Sequence, residues 1–313
     1  MLGSRSDRAG VGRRLFPPEV RAEVKALACE LPSTRGLPLS RFSSAELARA
    51  VVQAGICEQV SGATVWRRLS EDAIKPWQHR SWIFPRDPDF RAKAARVLEL
   101  YEGRWQGKLL HPGDFVLCAD EKPSIQARAR LHETLPPIPS GDGQLVEHEY
   151  GRMGALCYLA SWDVKHARIF GRCEPKGGIE PFDRLVAQVM GEEPYASARR
   201  VFWIVDNGSS HRGQRSIERL RTKWPRSPEL ILVHLPIHAS WLNQAEIYFS
   251  IVQRKVLTPN DFADLAAVEQ RLLAFERHYE QIAQPFEWTF TRSDLDRLLK
   301  RLDQQKPPLS LAA

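Results

Sequence analysis

The chain has 313 residues and a formal net charge of +7, with 43% hydrophobic and 27% charged residues. These are globular proportions, and they exclude a disordered, fibrous or disulfide-scaffold protein. No apolar run is long enough to cross a membrane, the first residues lack the apolar core of a signal peptide, and the five cysteines form no CxxC pair. We therefore expect a cytoplasmic protein with reduced thiols.

The positive charge is concentrated in the first third of the chain. Residues 1–110 contain 19 Lys+Arg and 12 Asp+Glu, whereas the remainder contains 26 of each. This excess indicates either a module that binds a polyanion or a solvated basic surface. GxGxxG, GxxxxGK[ST] and GxSxG motifs are absent from the sequence, which disfavours nucleotide binding and serine hydrolysis.

Three short helices are predicted within residues 1–75. Apolar stripes indicate a helix from Pro17 to Leu31, a second helix capped by Ser44, and a third helix from Ser61. The third helix begins with small polar residues and exposes arginines, which is typical of a helix-turn-helix module that binds DNA. A helical bundle with a basic face is the alternative. The residues of this helix expected to contact DNA are Thr64, Arg67 and Arg68.

Residues 76–110 are predicted to connect this module to a larger domain at residues 111–313. A proline-containing linker at 75–89 precedes a helix from Phe90 to Tyr101. From Asp114 the pattern predicts three strands, then a helix, a strand, a helix, a strand and a final helix. The predicted segments are 115–119, 153–162, 167–173, 180–190, 201–205, 213–224, 230–235 and 240–256. This order predicts an α/β fold of the ribonuclease H-like type, a mixed five-stranded sheet flanked by helices.

Three carboxylates are predicted to meet at one edge of this sheet. Asp120 and Asp206 each follow an apolar strand, and the carboxyl ends of neighbouring strands converge, although either residue taken singly is better explained as a turn residue. Glu246 is predicted on or beside the buried face of the last helix, where an unpaired carboxylate is costly. Three carboxylates together predict a site for Mg²⁺ or Mn²⁺ and cleavage of phosphodiesters by paired metal ions.

Three segments resemble the bacterial insertion-sequence transposases of the mariner superfamily, which carry a DDE endonuclease domain. They are VLCADEKPSIQARAR (116–130), RVFWIVDNGSSHRG (200–213) and LPIHASWLNQAEIYFSIVQRKVLTPNDF (235–262). The resemblance extends from about residue 16 to the C-terminus. It implies a catalytic triad of Asp120, Asp206 and Glu246 that binds two metal ions, in a protein associated with the bacterial nucleoid.

The resemblance also implies a reaction and its partners. The enzyme would cleave double-stranded DNA at the terminal inverted repeats of an element and join the freed 3′-OH to a target strand at TA. It would act as a homodimer or a larger synaptic assembly. His211, His238 and Asn243 are candidate contacts to the substrate; for the histidines, a helix-capping or loop role is the alternative.

Two features depart from the family pattern. Asp206 and Glu246 are 40 positions apart, which is longer than expected, and PRSPEL (225–230) is interpreted as a small insertion. Relatives open with an additional helix-turn-helix and a GRPR-like hook for the minor groove, of which only Gly12-Arg13-Arg14 is present. We expect Arg13 and Arg14 to contact DNA in a shortened product, one half of a split reading frame.

Two other functions stay open on the sequence alone. One is a DNA-binding repressor or inactive relic derived from a transposase, in which the triad persists without cleavage. The other is a stand-alone ribonuclease H-like nuclease.

Overall fold

The computed structural model describes residues 17–71, 74–78, 85–137, 139, 143–208, 211, 213–224 and 228–304. The chain divides into two compact units, residues 1–82 and 83–313. Within the described ranges, no helix is both long and apolar enough to cross a bilayer. The predicted Arg13 and Arg14 contacts lie outside the described residues.

The first unit is helical, as predicted. It contains α1 (Pro18–Ala28), a 3-10 turn (Pro32–Arg35), α2 (Ser44–Gln53) and α3 (Gly62–Glu71). The N-cap of α2 is Ser43, whose Oγ accepts from Glu46 N at 3.2 Å, while Glu46 Oε2 accepts from Ser43 N at 2.7 Å. The predicted cap at Ser44 is therefore wrong, because only Ser43 stands three residues before a glutamate and can form this reciprocal pair.

α3 approaches α2 closely at its first residue. A Cβ atom on Gly62 would lie 3.1 Å from Ala45 N, so a glycine allows the two backbones to meet. The buried core of the unit joins all three helices and consists mainly of Val24, Leu27, Leu47, Val51, Val65 and Leu69.

The second unit is built around a five-stranded sheet. It opens with α4 (Phe90–Tyr101) and a small hairpin of β1 (Arg104–Trp105) and β2 (Lys108–Leu109). The strands of the sheet are β3 (Asp114–Ala129), β4 (Gly151–Asp163), β5 (Ile169–Glu174), β6 (Arg200–Val205) and β7 (Glu229–His234). Their order is β5-β4-β3-β6-β7, with β3–β4 and β4–β5 antiparallel and β3–β6 and β6–β7 parallel. This is the predicted mixed sheet.

Helices cover both faces of the sheet. Residues of α5 (Ile179–Met190) and α6 (Gly213–Lys223) join the apolar core on one face. The core on the other face includes residues of α4, α7 (Gln244–Lys255), α8 (Leu265–Glu280) and α9 (Arg292–Gln304). A 3-10 turn (Ser240–Leu242) precedes α7. The connecting helix α4 therefore belongs to the second unit.

Strand β3 is much longer than the predicted strand 115–119. Its pairing with β6 stops at Cys118, but its pairing with β4 continues to Ala129, past a register shift between Lys122 and Ile125. Pro123 is tolerated because it lies where β3 has a hydrogen-bonded neighbour on one side only. Asp120 thus lies within a strand, rather than after its end.

Helix α8 protects β5, the strand at one edge of the sheet. Glu276 Oε1 accepts a hydrogen bond from Gly171 N at 3.1 Å, and Glu280 Oε1 accepts one from Ile169 N at 3.0 Å. Both donors belong to β5, so two carboxylates satisfy backbone groups at this edge.

Candidate active site

Three carboxylates from separate elements meet at the end of the sheet where β3 and β6 stop pairing. The last paired residues of β3 and β6 are Cys118 and Ile204, and Asp120 and Asp206 both lie two positions beyond them. Glu246 is the third residue of α7, a helix that packs on β3 and β4. The three predicted side chains therefore lie together: two follow the paired segments of the parallel strands β3 and β6, and one lies in the first turn of α7.

The carboxylate of Asp120 is half-buried and lies in a strongly negative environment. Burial, together with the charges of Asp206, Glu246 and Glu121, raises the pKa of Asp120 to about 7, although a hydrogen bond from Glu121 N opposes the rise. That bond reaches Oδ1 at 2.8 Å, and Asn243 Nδ2 lies 3.3 Å from Oδ2. The elevated pKa of Asp120 follows first from burial of its carboxyl group, and the like charges nearby add to the rise.

Asp206 accepts two hydrogen bonds through one carboxylate oxygen. His211 Nε2 donates to Asp206 Oδ1, and Gly208 N donates to the same oxygen at 2.7 Å. The bond from His211 lowers the pKa of Asp206 despite its partial burial. Gly208 permits this turn, because a Cβ there would lie 2.9 Å from Asp206 Oδ1. His234 Nε2 donates to the carbonyl of His211 at 2.6 Å.

Glu246 is exposed, which corrects its predicted position on or beside the buried face of the helix. The core of α7 is formed by Ala245, Tyr248, Phe249 and Val252. Glu246 lies in the first turn, where the helix starts at the open edge of the sheet. Its carboxylate therefore faces solvent and needs no buried partner.

The candidate substrate contacts occupy different surroundings. His211 is 2% exposed and is turned toward Asp206, and Asn243 is fully buried beneath Asp120. His238 is exposed in the turn before Ser240 and has a left-handed backbone, with φ of +61°. Of the three, only His238 is exposed.

In the first unit, α3 presents a different set of side chains from the predicted one. Arg67 is exposed, whereas Arg68 is half-buried and pairs with Glu71 at 2.9 Å. The hydroxyl of Thr64 lies 3.0 Å from that of Ser61, within the helix cap. Trp66 is 53% exposed and was not singled out from the sequence, although it lies beside Arg67 on the outward side of the helical stripe.

The donor set of the site suits a hard divalent cation. Mg²⁺ and Mn²⁺ prefer carboxylate oxygens, and a cation would relieve the repulsion that raises the pKa of Asp120. Across the described ranges, no three histidine, cysteine, aspartate or glutamate side chains are already placed to hold an ion. The residues thus fit a metal by their chemistry, and both hydrogen bonds given for Asp206 fall on its Oδ1.

A family model matches the region of the chain that carries this site. Residues 116–269 match the family model described as DDE superfamily endonuclease, which confirms the predicted endonuclease domain. The fold is similar to the crystal structure of the Mos1 mariner paired end complex with Mn. The TM-score is 0.53, with 14% identity over 96% of this chain and 80% of that chain.

The crystal structure of the mariner Mos1 paired end complex with Mg is also similar. It gives a TM-score of 0.50 and 15% identity over 96% of this chain and 82% of that chain. At such identity the similarity shows a shared fold, and it confirms the predicted ribonuclease H-like arrangement. No curated protein matches the sequence.

Proposed function

We propose that this chain, whose residues 116–269 match the model of the DDE superfamily endonucleases, is a metal-dependent DNA transposase. It cleaves the ends of its element and joins the freed 3′-OH to target DNA at TA. The observation that carries the proposal is the meeting of Asp120, Asp206 and Glu246 at one sheet edge. The charges of Asp206 and Glu246 are close enough to contribute to the raised pKa of Asp120.

We propose Asp120, Asp206 and Glu246 as the ligands of two divalent ions, Mg²⁺ or Mn²⁺. The similar Mos1 structures are complexes with Mn and with Mg, which supports this choice. Ions held by these three residues would supply Lewis acidity for the attacking and leaving oxygens of an in-line displacement at phosphorus.

The protein itself contributes orientation and charge. Hydrogen bonds from Glu121 and Asn243 hold both oxygens of Asp120, and His211 orients Asp206. Phosphoryl transfer depends mainly on positioning and charge neutralisation, so these fixed contacts are the main contribution of the chain to the reaction.

We propose double-stranded DNA as the partner of the first unit. Arg67 and Trp66 are both exposed on α3 and supply a charge for the phosphates and an apolar surface for base edges in a groove. Thr64, Arg68, Arg13 and Arg14 stay predicted contacts. Because the Mos1 neighbours are paired end complexes, we also propose that two copies of this chain pair two element ends.

The experiment uses a labelled duplex that carries the inverted repeat flanking the gene, with full-length protein and Mg²⁺. Asp206→Asn should lose cleavage while retaining DNA binding, because it removes a ligand and leaves α3 intact. Asp183→Asn is the matched control, since Asp183 is a carboxylate of α5 paired with Arg219 and Lys223 outside the site. It should cleave at the rate of the wild type.

Three outcomes contradict the proposal. Cleavage by Asp206→Asn near the wild-type rate would remove the residue from the chemistry. Binding of the repeat without cleavage by the wild-type protein would indicate a repressor or relic. Cleavage of branched duplexes without regard to the repeat would indicate a stand-alone nuclease.

A further inference from the structure

Asn243 lies between two of the three carboxylates, and none of its surface is exposed. It separates the 3-10 turn from α7. A buried side-chain amide requires hydrogen-bond partners for its donors and its acceptor. The partners of Asn243 therefore show which segments of the chain it links.

The amide of Asn243 joins strand β3 to the start of α7. Nδ2 donates to Ala119 O at 2.9 Å and lies 3.3 Å from Asp120 Oδ2, so the donor group is directed at the strand segment that carries the first carboxylate. Oδ1 accepts from Ala245 N at 3.1 Å and caps the helix.

The backbone of Asn243 is bound to the backbone of Glu246, the residue that carries the third carboxylate. Its carbonyl accepts from Glu246 N at 3.1 Å, and its N–H donates to Ser240 O at 2.7 Å. One residue thus contacts Asp120 through its side chain and Glu246 through its main chain, and the separation of these two carboxylates depends on its position.

A second buried contact locks the peptide that precedes Asn243. Tyr101 of α4 donates its hydroxyl to Leu242 O at 2.6 Å, and the same hydroxyl lies 3.1 Å from the Sγ of Cys118 on β3. The Leu242–Asn243 peptide is therefore held by α4 through Leu242 O, and the Asn243 side chain is held by β3. Such a support restricts rotation of the amide and preorganises the groups that it contacts.

We propose that Asn243 is a positioning residue that sets the spacing and orientation of Asp120 relative to Glu246. It acts from beneath the carboxylates and makes no contact with substrate, because it is fully buried. The inference rests on the proposed function, since it concerns how the same site holds its metal ions. Only a side-chain amide of this length can cap α7 and donate to β3 together.

The test separates the cap from the donor. Asn243→Ser retains an oxygen that caps α7 but is too short to reach β3, whereas Asn243→Ala loses both functions. Asn260→Ala is the matched control. Asn260 also bridges β3, donating to Gln126 O at 2.7 Å and accepting from Arg128 N at 3.2 Å, far along the strand from the carboxylates.

Binding of Mn²⁺ to full-length protein is measured from the signal of free Mn²⁺ in electron paramagnetic resonance, together with the melting temperature in EDTA and the cleavage rate. Loss of a residue that orients a ligand typically weakens metal binding or activity about 10- to 100-fold. We expect this loss of affinity for Asn243→Ser, with a smaller fall in melting temperature than for Asn243→Ala, because serine loses the donor to Ala119 O and keeps the cap. Asn243→Ala should show the same loss and a lower melting temperature.

Asn260→Ala should lower the melting temperature and leave the Mn²⁺ affinity within about twofold of the wild type. This change is much smaller than the about 10- to 100-fold loss expected when a residue that orients a metal ligand is removed. Equal Mn²⁺ affinity of Asn243→Ser and wild type would overturn the inference alone. Equal loss in Asn243→Ser and Asn260→Ala would reduce Asn243 to a general structural role. A wild-type protein that binds no Mn²⁺ would overturn the proposed metal site and this inference together. If Asn243→Ser does not fold, Asn243→Thr provides the same comparison, because threonine also caps helices.

Discussion

Replacing Asp120 with asparagine should stabilise the metal-free protein while abolishing cleavage. Burial and the neighbouring charges raise the pKa of Asp120 from an ordinary value of about 3.9 to about 7. One pKa unit corresponds to about 1.4 kcal/mol, so ionised Asp120 destabilises the folded state by at most about 4 kcal/mol. Partial exposure of the side chain reduces this figure by screening, and we expect about 2 kcal/mol.

The raised pKa determines the direction of the pH dependence. Below about pH 4 the carboxyl is protonated in both folded and unfolded chains, and the substitution removes no charge. Between about pH 4 and pH 7 the unfolded chain ionises first, so the wild-type protein loses stability as the pH rises. The advantage of Asp120→Asn should therefore grow over this range and level off above pH 7.

Urea unfolding in EDTA at pH 4, 6 and 8 measures this difference. A variant less stable than the wild type at pH 8 would show that the hydrogen bonds to Asp120 outweigh the repulsion, and the reasoning would be refuted. Asp206→Asn provides the contrast, because His211 lowers the pKa of Asp206. That variant should be less stable than the wild type at pH 8, and the deficit should vanish as the pH falls through the lowered pKa of Asp206.

Three further substitutions test the packing described above, each by its melting temperature. Ser43→Ala removes the cap of α2 and should cost about 1 kcal/mol, whereas no change would mean that the capping box contributes nothing in solution. Gly171→Ala should cost about 1–3 kcal/mol, because the new Cβ would overlap the Tyr158 hydroxyl and the Glu276 carboxylate. His238→Gly should gain up to about 1 kcal/mol by relieving the left-handed backbone, and a loss would show that the imidazole has a stabilising contact.

Much of the second unit could be predicted from local sequence patterns. Helix α4 spans the predicted 90–101, and β6 and β7 each lie within one residue of the predicted bounds, because uninterrupted apolar runs are flanked by polar residues. β3 exceeded its prediction because Pro123 normally ends a strand and is tolerated here only through one-sided pairing. α8 and α9 were not predicted, and α8 carries Glu276 and Glu280 on the side that meets the sheet, which weakens its apolar stripe.

The identities of the three carboxylates could also be predicted, but not their surroundings. The spacing of Glu246 after Leu242 indicated burial, whereas the helix starts at an open edge and exposes it. Asn243 and Ala119 are 124 positions apart, and their contact depends on how α7 packs on β3. The spacing of apolar residues indicates which face of one helix is buried. It does not indicate a contact between residues so far apart in the sequence.

The carboxylates that α8 places against β5 also limit how copies of this protein can associate. An incoming strand that sought to extend the sheet at this edge would first have to displace Glu276 and Glu280 from the backbone N–H groups of Gly171 and Ile169. It would also meet two acidic side chains where a neighbouring strand normally offers carbonyl oxygens. Pairing of two copies by strand addition is therefore disfavoured at the β5 edge, and this edge is protected against the uncontrolled strand pairing that leads to aggregation.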